Sequence, residues 1–299
     1  MSFVAGTALL AVVTALACAL PGVFVVLRKN SMLVDAISHA VLPGIVVGYF
    51  FTRNIDSPLL ILGAALAGLV VVLGSEWLGC SGLLTGDAPQ GLIFPALFSG
   101  GVILVTANFA NVHLDTHAVL VGDLNLAAWH QLIIGGVSYG PVYLYVMLGV
   151  LLVNAAFLTV FYSTLKVTTF DAPFAASLGI RTGLLNTAFM FLVSATVTAA
   201  FNAAGAILVI ALVVIPPATA YLLSKRLPVM IALTAAIAAT GALAGFWLAY
   251  ALDAATSAGM SVFYGLVFVA ALTVVRLRRR ARRPQVVDPG ALGLDSSSE

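Results

Sequence analysis

The sequence predicts an all-α fold, a polytopic transmembrane helix bundle of about eight or nine helices. Of the 299 residues, 62% are hydrophobic and 8% are charged, whereas an ordinary soluble domain carries about 25% charged residues. Leu, Val and Ala recur in runs of about 20 residues, the length that a helix needs to cross a hydrocarbon core of about 30 Å. The alternating ten-residue segments typical of a membrane β-barrel are absent from the sequence.

Nine apolar segments are candidate spans, or eight spans and a half-helix, with approximate ranges of 3–27, 33–52, 58–79, 89–107, 138–162, 182–201, 205–223, 228–252 and 258–276. The segment 108–137 is too polar for a full span and too apolar for a plain loop, so we expect a re-entrant or interfacial element there. We assign residues 1–276 to a transmembrane domain. Residues 277–299 are predicted to be a basic, disordered cytoplasmic tail, because Pro, Gly and Ser follow the arginine cluster.

The basic residues predict the orientation, because loops rich in Lys and Arg stay in the cytoplasm. Alternating the nine spans places every basic residue except Arg53 on one side, which we assign to the cytoplasm. The N-terminus is then outside and the C-terminus is cytoplasmic. The net charge of +2 is too small to indicate a nucleic-acid partner. Cys18 and Cys80 have no metal or redox spacing and are predicted to be packing residues.

Two apolar segments contain residues that bear on helix packing. The sequence GALAG, from Gly241 to Gly245, has the small-xxx-small spacing that lets helices approach closely in lipid. Pro216 and Pro217 remove two backbone donors from the seventh span and predict a break there, near a cavity or a moving part. Glu76 is interpreted as a snorkelling or capping residue at the end of the third span.

The stretch MLVDAISHAVLPG, residues 32–44, places Asp35 and His39 four residues apart and therefore on one helical face. Ionisable groups within a span usually face the bundle interior and mark a substrate or ion path. Pro43 also deprives the His39 carbonyl of its helical amide partner. A carboxylate, an imidazole and a free carbonyl suit Mn²⁺, Zn²⁺ or Fe²⁺ better than Cu⁺. The alternative is structural, with Asp35 stabilising the helix N-terminus and His39 hydrogen-bonded in the core.

The longer stretch RKNSMLVDAISHAVLPGIVVGYF resembles the signature region of the permease subunits of metal-ion ABC transporters, which import manganese, zinc or iron(II) into bacteria. The likeness continues through LDTHAVLVGDLN, TFDAPFAASLGI and GAILVIALVVIPPATAYLLSKRLPVM, to about residue 275. It implies an ABC importer permease fold in which Asp35 and His39 bind the passing cation, Mn²⁺ or Zn²⁺ above all, with no permanently bound cofactor. The sequence departs from the family at AYALDAATSAG, which lacks the proline of the usual turn, and at FDAPFA, where the proline is shifted by one place.

An importer of this type needs ATP hydrolysis, and the resemblance implies that other chains supply it. A phosphate-binding P-loop requires G-x-x-x-x-G-K-[ST], and none of the lysines, Lys29, Lys166 and Lys225, follows a glycine. We therefore predict no ATPase site in this chain and expect two copies of a separate ABC ATPase. A second permease copy, identical or related, and an extracytoplasmic metal-binding protein complete the expected complex in the bacterial cytoplasmic membrane.

The sequence FDAPFAASLG is predicted to form a short helix with Asp171 as its N-cap. In the resembling permeases this segment is the coupling helix that fits a groove on the ATPase, which assigns a coupling role to Asp171, Phe174, Ala175 and Gly179. On the outer side, HLDTH places His113 and His117 four residues apart. They are candidate outer metal contacts, with ordinary surface residues as the alternative.

Two other function classes are alternatives to a metal importer. An ion-coupled secondary transporter could use a buried Asp/His relay, but no inverted repeat is evident in the sequence. An intramembrane metalloprotease would need a motif such as H-E-x-x-H, which the sequence lacks.

Overall fold

The computed structural model describes residues 2–53, 58–84, 86, 88–108, 124–134 and 137–281. These residues form a helical bundle with one small β-hairpin. In chain order, the elements are α1 Phe3–Leu27, α2 Ser31–Thr52, α3 Pro58–Cys80, α4 Ala88–Asn108, α5 Leu124–Trp129, β1 Gln131–Ile134, β2 Val137–Pro141, α6 Val142–Val160, α7 Tyr162–Phe170, α8 Ala172–Ser177, α9 Thr182–Leu223, α10 Leu227–Ala251 and α11 Thr256–Ala281.

Within the described ranges, eight helices are long and apolar enough to cross a membrane, namely α1, α2, α3, α4, α6, α9, α10 and α11. The predicted bundle of eight or nine helices is therefore confirmed. The sixth and seventh predicted spans are the two halves of α9, which meet at Gly205. This residue has φ 77° and ψ 163°, a conformation that glycine adopts readily and that is not helical.

The two halves of α9 are antiparallel. Asn186, near the start of α9, accepts a hydrogen bond from Arg28 at the end of α1. Tyr221, near the end of α9, lines a cavity together with Leu27. In a straight helix these two residues of α9 would be about 50 Å apart, so the chain must reverse at Gly205. We call this side of the bundle the Arg28 end.

The prediction that Pro216 and Pro217 break their span is wrong. Helix α9 continues through both prolines, which are buried. Pro217 deprives the Val213 carbonyl of its amide partner, and Gly22 of α1 lies against that carbonyl so closely that a Cβ at Gly22 would overlap it. The backbone of the neighbouring helix thus packs directly against the carbonyl that Pro217 leaves without its helical partner.

Helix α1 is the centre of the bundle. Most of its residues are buried, and it packs against α6, α9 and α10. Cys18 lies fully buried within it as a free thiol, in agreement with its predicted packing role. The side chain of Cys80 lies outside the described residues. By contrast, α4 and α11 expose most of their surface and form the periphery of the single chain.

The opposite side of the bundle, which we call the Phe3 end, carries α5 and the β-hairpin. The ring of Trp129 in α5 packs edge-on against Phe3, with the ring centroids 6.1 Å apart. Asn125 Nδ2 donates a hydrogen bond of 2.8 Å to Thr256 Oγ1 at the start of α11. The strands were not predicted: the expected span 138–162 begins at Val142, because β2 pairs with β1, with Ser138 opposite Ile133.

The far end of the chain also differs from the prediction. Helix α11 continues to Ala281, so it includes the first five residues of the predicted tail of residues 277–299. Arginines in the last turns of a helix favour this extension, because they complement the negative end of the helix dipole and reach the lipid headgroups. Residues 282–299 lie outside the described residues.

Helices α10 and α11 approach closely at the predicted glycines. A Cβ at Gly241 would lie 2.9 Å from Cζ of the Tyr264 ring, and a Cβ at Gly245 would lie 3.1 Å from Cα of Met260. The ring of Tyr264 is buried, and its hydroxyl donates a 2.6 Å hydrogen bond to the Ala238 carbonyl. The small residues thus make room for this aromatic ring.

We expect Gly241→Leu to lower the melting temperature of the detergent-solubilised protein by several degrees, because the new side chain must displace the buried Tyr264 ring. Overpacking of this kind typically costs about 1–3 kcal/mol. Gly265→Leu on α11 is the matched control, since no described atom lies within 4 Å of a Cβ at that position. Equal melting temperatures for the two variants would contradict this account of the contact.

Candidate functional site

Helix α2 brings Asp35 and His39 together, as their spacing predicts. The Asp35 Oδ1 and His39 Nε2 atoms are 3.6 Å apart, and the two side chains are 38% and 36% exposed. Helix α2 begins at Ser31, at the Arg28 end, so Asp35 lies in its second turn. Both polar groups are therefore accessible in the single chain, and their donor atoms are close enough to converge on one ion.

Helix α4 forms an aromatic wall beside His39. The Phe94 ring stacks on the imidazole, with centroids 5.2 Å apart and an interplanar angle of 23°. The Phe98 ring meets the imidazole edge-on at 6.3 Å and 85°. These contacts restrict the rotation of the His39 ring and leave its Nε2 edge turned towards Asp35.

Close backbone packing fixes the position of α2 just beyond the site. Helix α2 remains helical through Pro43. A Cβ at Gly101 of α4 would lie 2.7 Å from Pro43 Cβ, and a Cβ at Gly44 would lie 2.6 Å from the Gly63 carbonyl of α3. Real Cβ atoms do not approach this closely, so the Pro-Gly dipeptide locks α2 against two neighbours one turn after His39.

The pair supplies few ligands to a cation. Across the described residues, no group of three or more His, Cys, Asp or Glu side chains could hold a metal ion. A divalent ion at Asp35 and His39 would complete its coordination with water, the His39 carbonyl or groups of another chain. Such a set suits a borderline divalent ion and allows rapid release. His113 and His117 lie outside the described residues.

The segment between α6 and α9 contains the short helix α8. Asp171 caps α8 as predicted, since its Oδ1 accepts a 3.0 Å hydrogen bond from the Phe174 amide. Phe174 is 52% exposed, while Ala175 is fully buried against the bundle. Gly179 ends the segment with φ 75°, which glycine allows. The short helix is thus held by one face and presents an aromatic side chain on the other.

One polar cluster was missed by the sequence analysis. Glu76, interpreted as a snorkelling or capping residue, instead accepts a hydrogen bond from Asn186 of α9. Asn186 in turn accepts a 2.7 Å hydrogen bond from Arg28 Nη1. The sequence offered only a general signal, because ionisable residues in apolar spans usually pair inside a bundle, and this rule does not identify the polar partners.

Comparison with known proteins supports the resemblance noted in the sequence. Residues 1–275 match the model of the ABC 3 transport family. The chain is 36% identical over 271 residues to the manganese transport system membrane protein MntD of Bacillus subtilis, covering 91% of this chain and 92% of the relative. It is 43% identical over 260 residues to the zinc transport system membrane protein TroD of Treponema pallidum, covering 87% and 71%.

A solved structure shares the fold. PsaBC from Streptococcus pneumoniae, whose structure is known in complex with a Fab, superposes with a TM-score of 0.73 at 23% sequence identity, over 91% of each chain. This likeness confirms the predicted fold, a polytopic helix bundle. The family match over nearly all of the spanning region and the relatives of this identity show that the chain belongs to the ABC 3 transport family.

Proposed function

We propose that the chain is the membrane permease subunit of an ATP-driven importer of divalent transition-metal cations, with Mn²⁺ or Zn²⁺ as cargo. The observation that carries the proposal is the accessible Asp35–His39 pair on α2, whose donor atoms are 3.6 Å apart. The names of relatives, a manganese and a zinc transport system membrane protein, support this class of cargo. In this proposal both side chains bind the cation during its passage.

The Arg28 end of the bundle is assigned to the cytoplasm. Arg28 and Lys225 lie at this end, and Lys166 and Arg181 belong to the segment that includes α7 and α8. Loops rich in basic residues favour this side of the membrane. The N-terminus is then outside, α8 faces the cytoplasm, and the permease domain of residues 1–276 is followed by a basic cytoplasmic tail.

The small number of ligands favours a pathway shared by two permease copies. A second Asp35–His39 pair, or its equivalent in a related subunit, would add two donors to the two found here. We further assign the exposed Phe174 on α8 to contact with an ABC ATPase, present in two copies, and the Phe3 end to an extracytoplasmic metal-binding protein. His113 and His117 are candidate contacts for the cation on that outer side.

The test of this function is uptake by the reconstituted complex. Lipid vesicles containing the permease and its ATPase should accumulate Mn²⁺ or Zn²⁺ when ATP and the metal-loaded binding protein are supplied on their proper sides. The purified permease alone should hydrolyse no ATP. Accumulation driven by a proton or sodium gradient in the absence of ATP would overturn the proposal and support the ion-coupled alternative.

We expect Phe174→Ala to reduce co-purification of the ATPase with the permease at least about tenfold, because truncating a central aromatic residue of an interface commonly costs 2 kcal/mol or more. Tyr250→Ala is the control, since Tyr250 is a similarly exposed aromatic residue at the Phe3 end, where α10 ends. Undiminished ATPase binding by the Phe174→Ala protein would remove α8 as the docking element.

A further inference from the structure

Arg28 is a half-buried cation whose three guanidinium nitrogens all have partners. Its Nε donates to Thr169 Oγ1 at 3.1 Å, its Nη2 to Thr168 Oγ1 at 3.2 Å, and its Nη1 to Asn186 Oδ1 at 2.7 Å. The guanidinium carbon also lies 5.0 Å from the centroid of the Phe189 ring. The planar fork of arginine suits this arrangement, because its donors leave in fixed directions.

Glu76 of α3 completes the cluster from the other side of Asn186. The Asn186 amide accepts from Arg28 through its oxygen and donates to Glu76 through its nitrogen. Two opposite charges are thus joined through one side chain. A partly buried charge is stabilising only when it is paired and hydrogen-bonded, and here both charges meet that condition. We call Arg28, Glu76, Thr168, Thr169 and Asn186 the Arg28 network.

The threonines of this network belong to the segment that carries α8. Thr168 and Thr169 are in the last turn of α7, directly before Asp171, the N-cap of α8. The Asp171 amide donates a 2.8 Å hydrogen bond to the Val167 carbonyl, so the cap of α8 is joined to the turn of helix that holds both threonines. A displacement of α8 therefore moves the acceptors of Arg28.

Arg28 is also joined tightly to the helix that carries the proposed metal ligands. It is the residue after α1, and only Lys29 and Asn30 separate it from the start of α2. Backbone hydrogen bonds close this corner, from Lys29 to Val26 at 3.1 Å and from Asn30 to Val25 at 3.0 Å. Asp35 follows Arg28 by seven residues. These backbone hydrogen bonds allow little movement of the guanidinium relative to the first turns of α2.

We propose that Arg28 is the positioning residue that transmits displacement of the coupling helix α8 to helix α2 and the Asp35–His39 pair. This inference rests on the proposed function. A movement imposed on α8 by the ATPase is passed through the hydroxyls of Thr168 and Thr169 to the guanidinium, and from there to the corner between α1 and α2. Asn186 and Glu76 hold the guanidinium in place and connect the same movement to α9 and α3.

The test measures the number of metal ions imported for each ATP hydrolysed, in complexes whose assembly is checked by size-exclusion chromatography. Arg28→Lys and Arg28→Gln should assemble and hydrolyse ATP, but import about tenfold fewer ions for each ATP, a change within the range typical of coupling between two sites. Lysine keeps the charge, but its single nitrogen cannot reach three acceptors on two helices in the geometry of the guanidinium.

A second variant separates transmission from simple stabilisation. Thr168→Val combined with Thr169→Val removes the acceptors on α7 and leaves Arg28, Asn186 and Glu76 intact, so it should reproduce the loss of ions imported for each ATP. Lys166→Ala is the matched control, because Lys166 is an exposed basic residue on the same helix. The Lys166→Ala complex should import as many metal ions for each ATP hydrolysed as the wild type does.

The outcomes distinguish this inference from the proposed function. If the wild-type complex takes up no metal with ATP, the proposed function itself fails. If the wild type takes up metal and the double threonine variant keeps the wild-type ratio, the inference is overturned, whether or not the Arg28 variants assemble. A proportional fall in uptake and ATP hydrolysis, with an unchanged ratio, would also overturn it, because a merely structural role predicts that result.

Discussion

Vesicles containing the Asp35→Ala permease and its ATPase are expected to take up no measurable Mn²⁺ or Zn²⁺, whereas His39→Ala vesicles should retain a small part of the wild-type rate. The difference arises from charge. An elementary charge at about 4 Å contributes roughly 4 kcal/mol at an effective dielectric constant of 20, and about twice that with a divalent ion. Loss of the carboxylate should therefore weaken binding of the ion by more than about a thousandfold.

The loss of His39 has a smaller effect because the charge of Asp35 remains. A neutral donor can be replaced by water, whereas an ion that leaves water for uncharged surroundings without a counter-charge suffers a large desolvation penalty. In the part of the chain that the structure describes, no third Asp, Glu, His or Cys joins the pair. The described ranges therefore offer no other carboxylate at this position to compensate for Asp35→Ala.

Matched variants separate the loss of the Asp35 charge from changes in side-chain size, stability and assembly. Asp35→Asn preserves the size of the side chain and should be as inactive as Asp35→Ala. Asp253→Asn removes a carboxylate near the end of α10, at a left-handed position of φ 50° where Asn is tolerated, and should transport normally. Radiometal uptake is measured together with melting temperature and ATPase binding. Normal uptake by an assembled Asp35→Asn complex would place the ion path elsewhere.

Local geometry explains which parts of the site could be predicted from the sequence. Asp35 and His39 are four residues apart on one helix, so helical periodicity alone places them side by side. Likewise, the cap formed by Asp171 depends on contacts within three residues. The number of spans follows from the length of apolar runs, which the thickness of the membrane fixes.

Features that depend on distant parts of the chain were missed. Arg28 and its partners Thr168, Thr169 and Asn186 are between 140 and 158 residues apart in sequence, so no local pattern identifies them. A further break was expected at Pro216 and Pro217 within the second half of α9, but the helix continues through both, and Gly22 of the neighbouring helix packs against Pro217 and the Val213 carbonyl. The β-hairpin had a usable local signal, since a Gly-Gly pair separates two short apolar runs.

The Pro-Gly end of the stretch DAISHAVLPG has a packing role that the sequence analysis did not assign. Gly44 and Gly48 have the small-xxx-small spacing, and both lie against the backbone of α3: a Cβ at Gly48 would be 3.1 Å from Leu60 Cα. The Asp-His half of the stretch supplies the proposed ligands, and the Pro-Gly half fixes the helix that carries them. Substitutions in the first half should remove a ligand, whereas substitutions in the second half should disturb the packing of α2.

Gly44→Ala is therefore expected to lower the melting temperature of the permease and to abolish uptake, although alanine favours helices more than glycine does. A Cβ at Gly44 would lie 2.8 Å from the Ala64 amide nitrogen and 2.6 Å from the Gly63 carbonyl oxygen. Both atoms belong to the backbone of α3 and cannot rotate away, so α2 and α3 must separate. Overpacking of a tight contact costs about 1–3 kcal/mol. The separation also moves the helix that carries Asp35 and His39, and displaces the His39 ring from its place beside Phe94 of α4.

Gly100→Ala on α4 is the matched control, because a Cβ there meets no described atom within 4 Å. This substitution should leave uptake intact and raise stability slightly, since alanine exceeds glycine in helix propensity by about 1 kcal/mol. The adjacent Gly101→Ala should behave like Gly44→Ala, because its Cβ would meet Pro43. If Gly44→Ala and Gly100→Ala melt at the same temperature, the close packing of α2 on α3 is not what holds the Asp35–His39 pair in place.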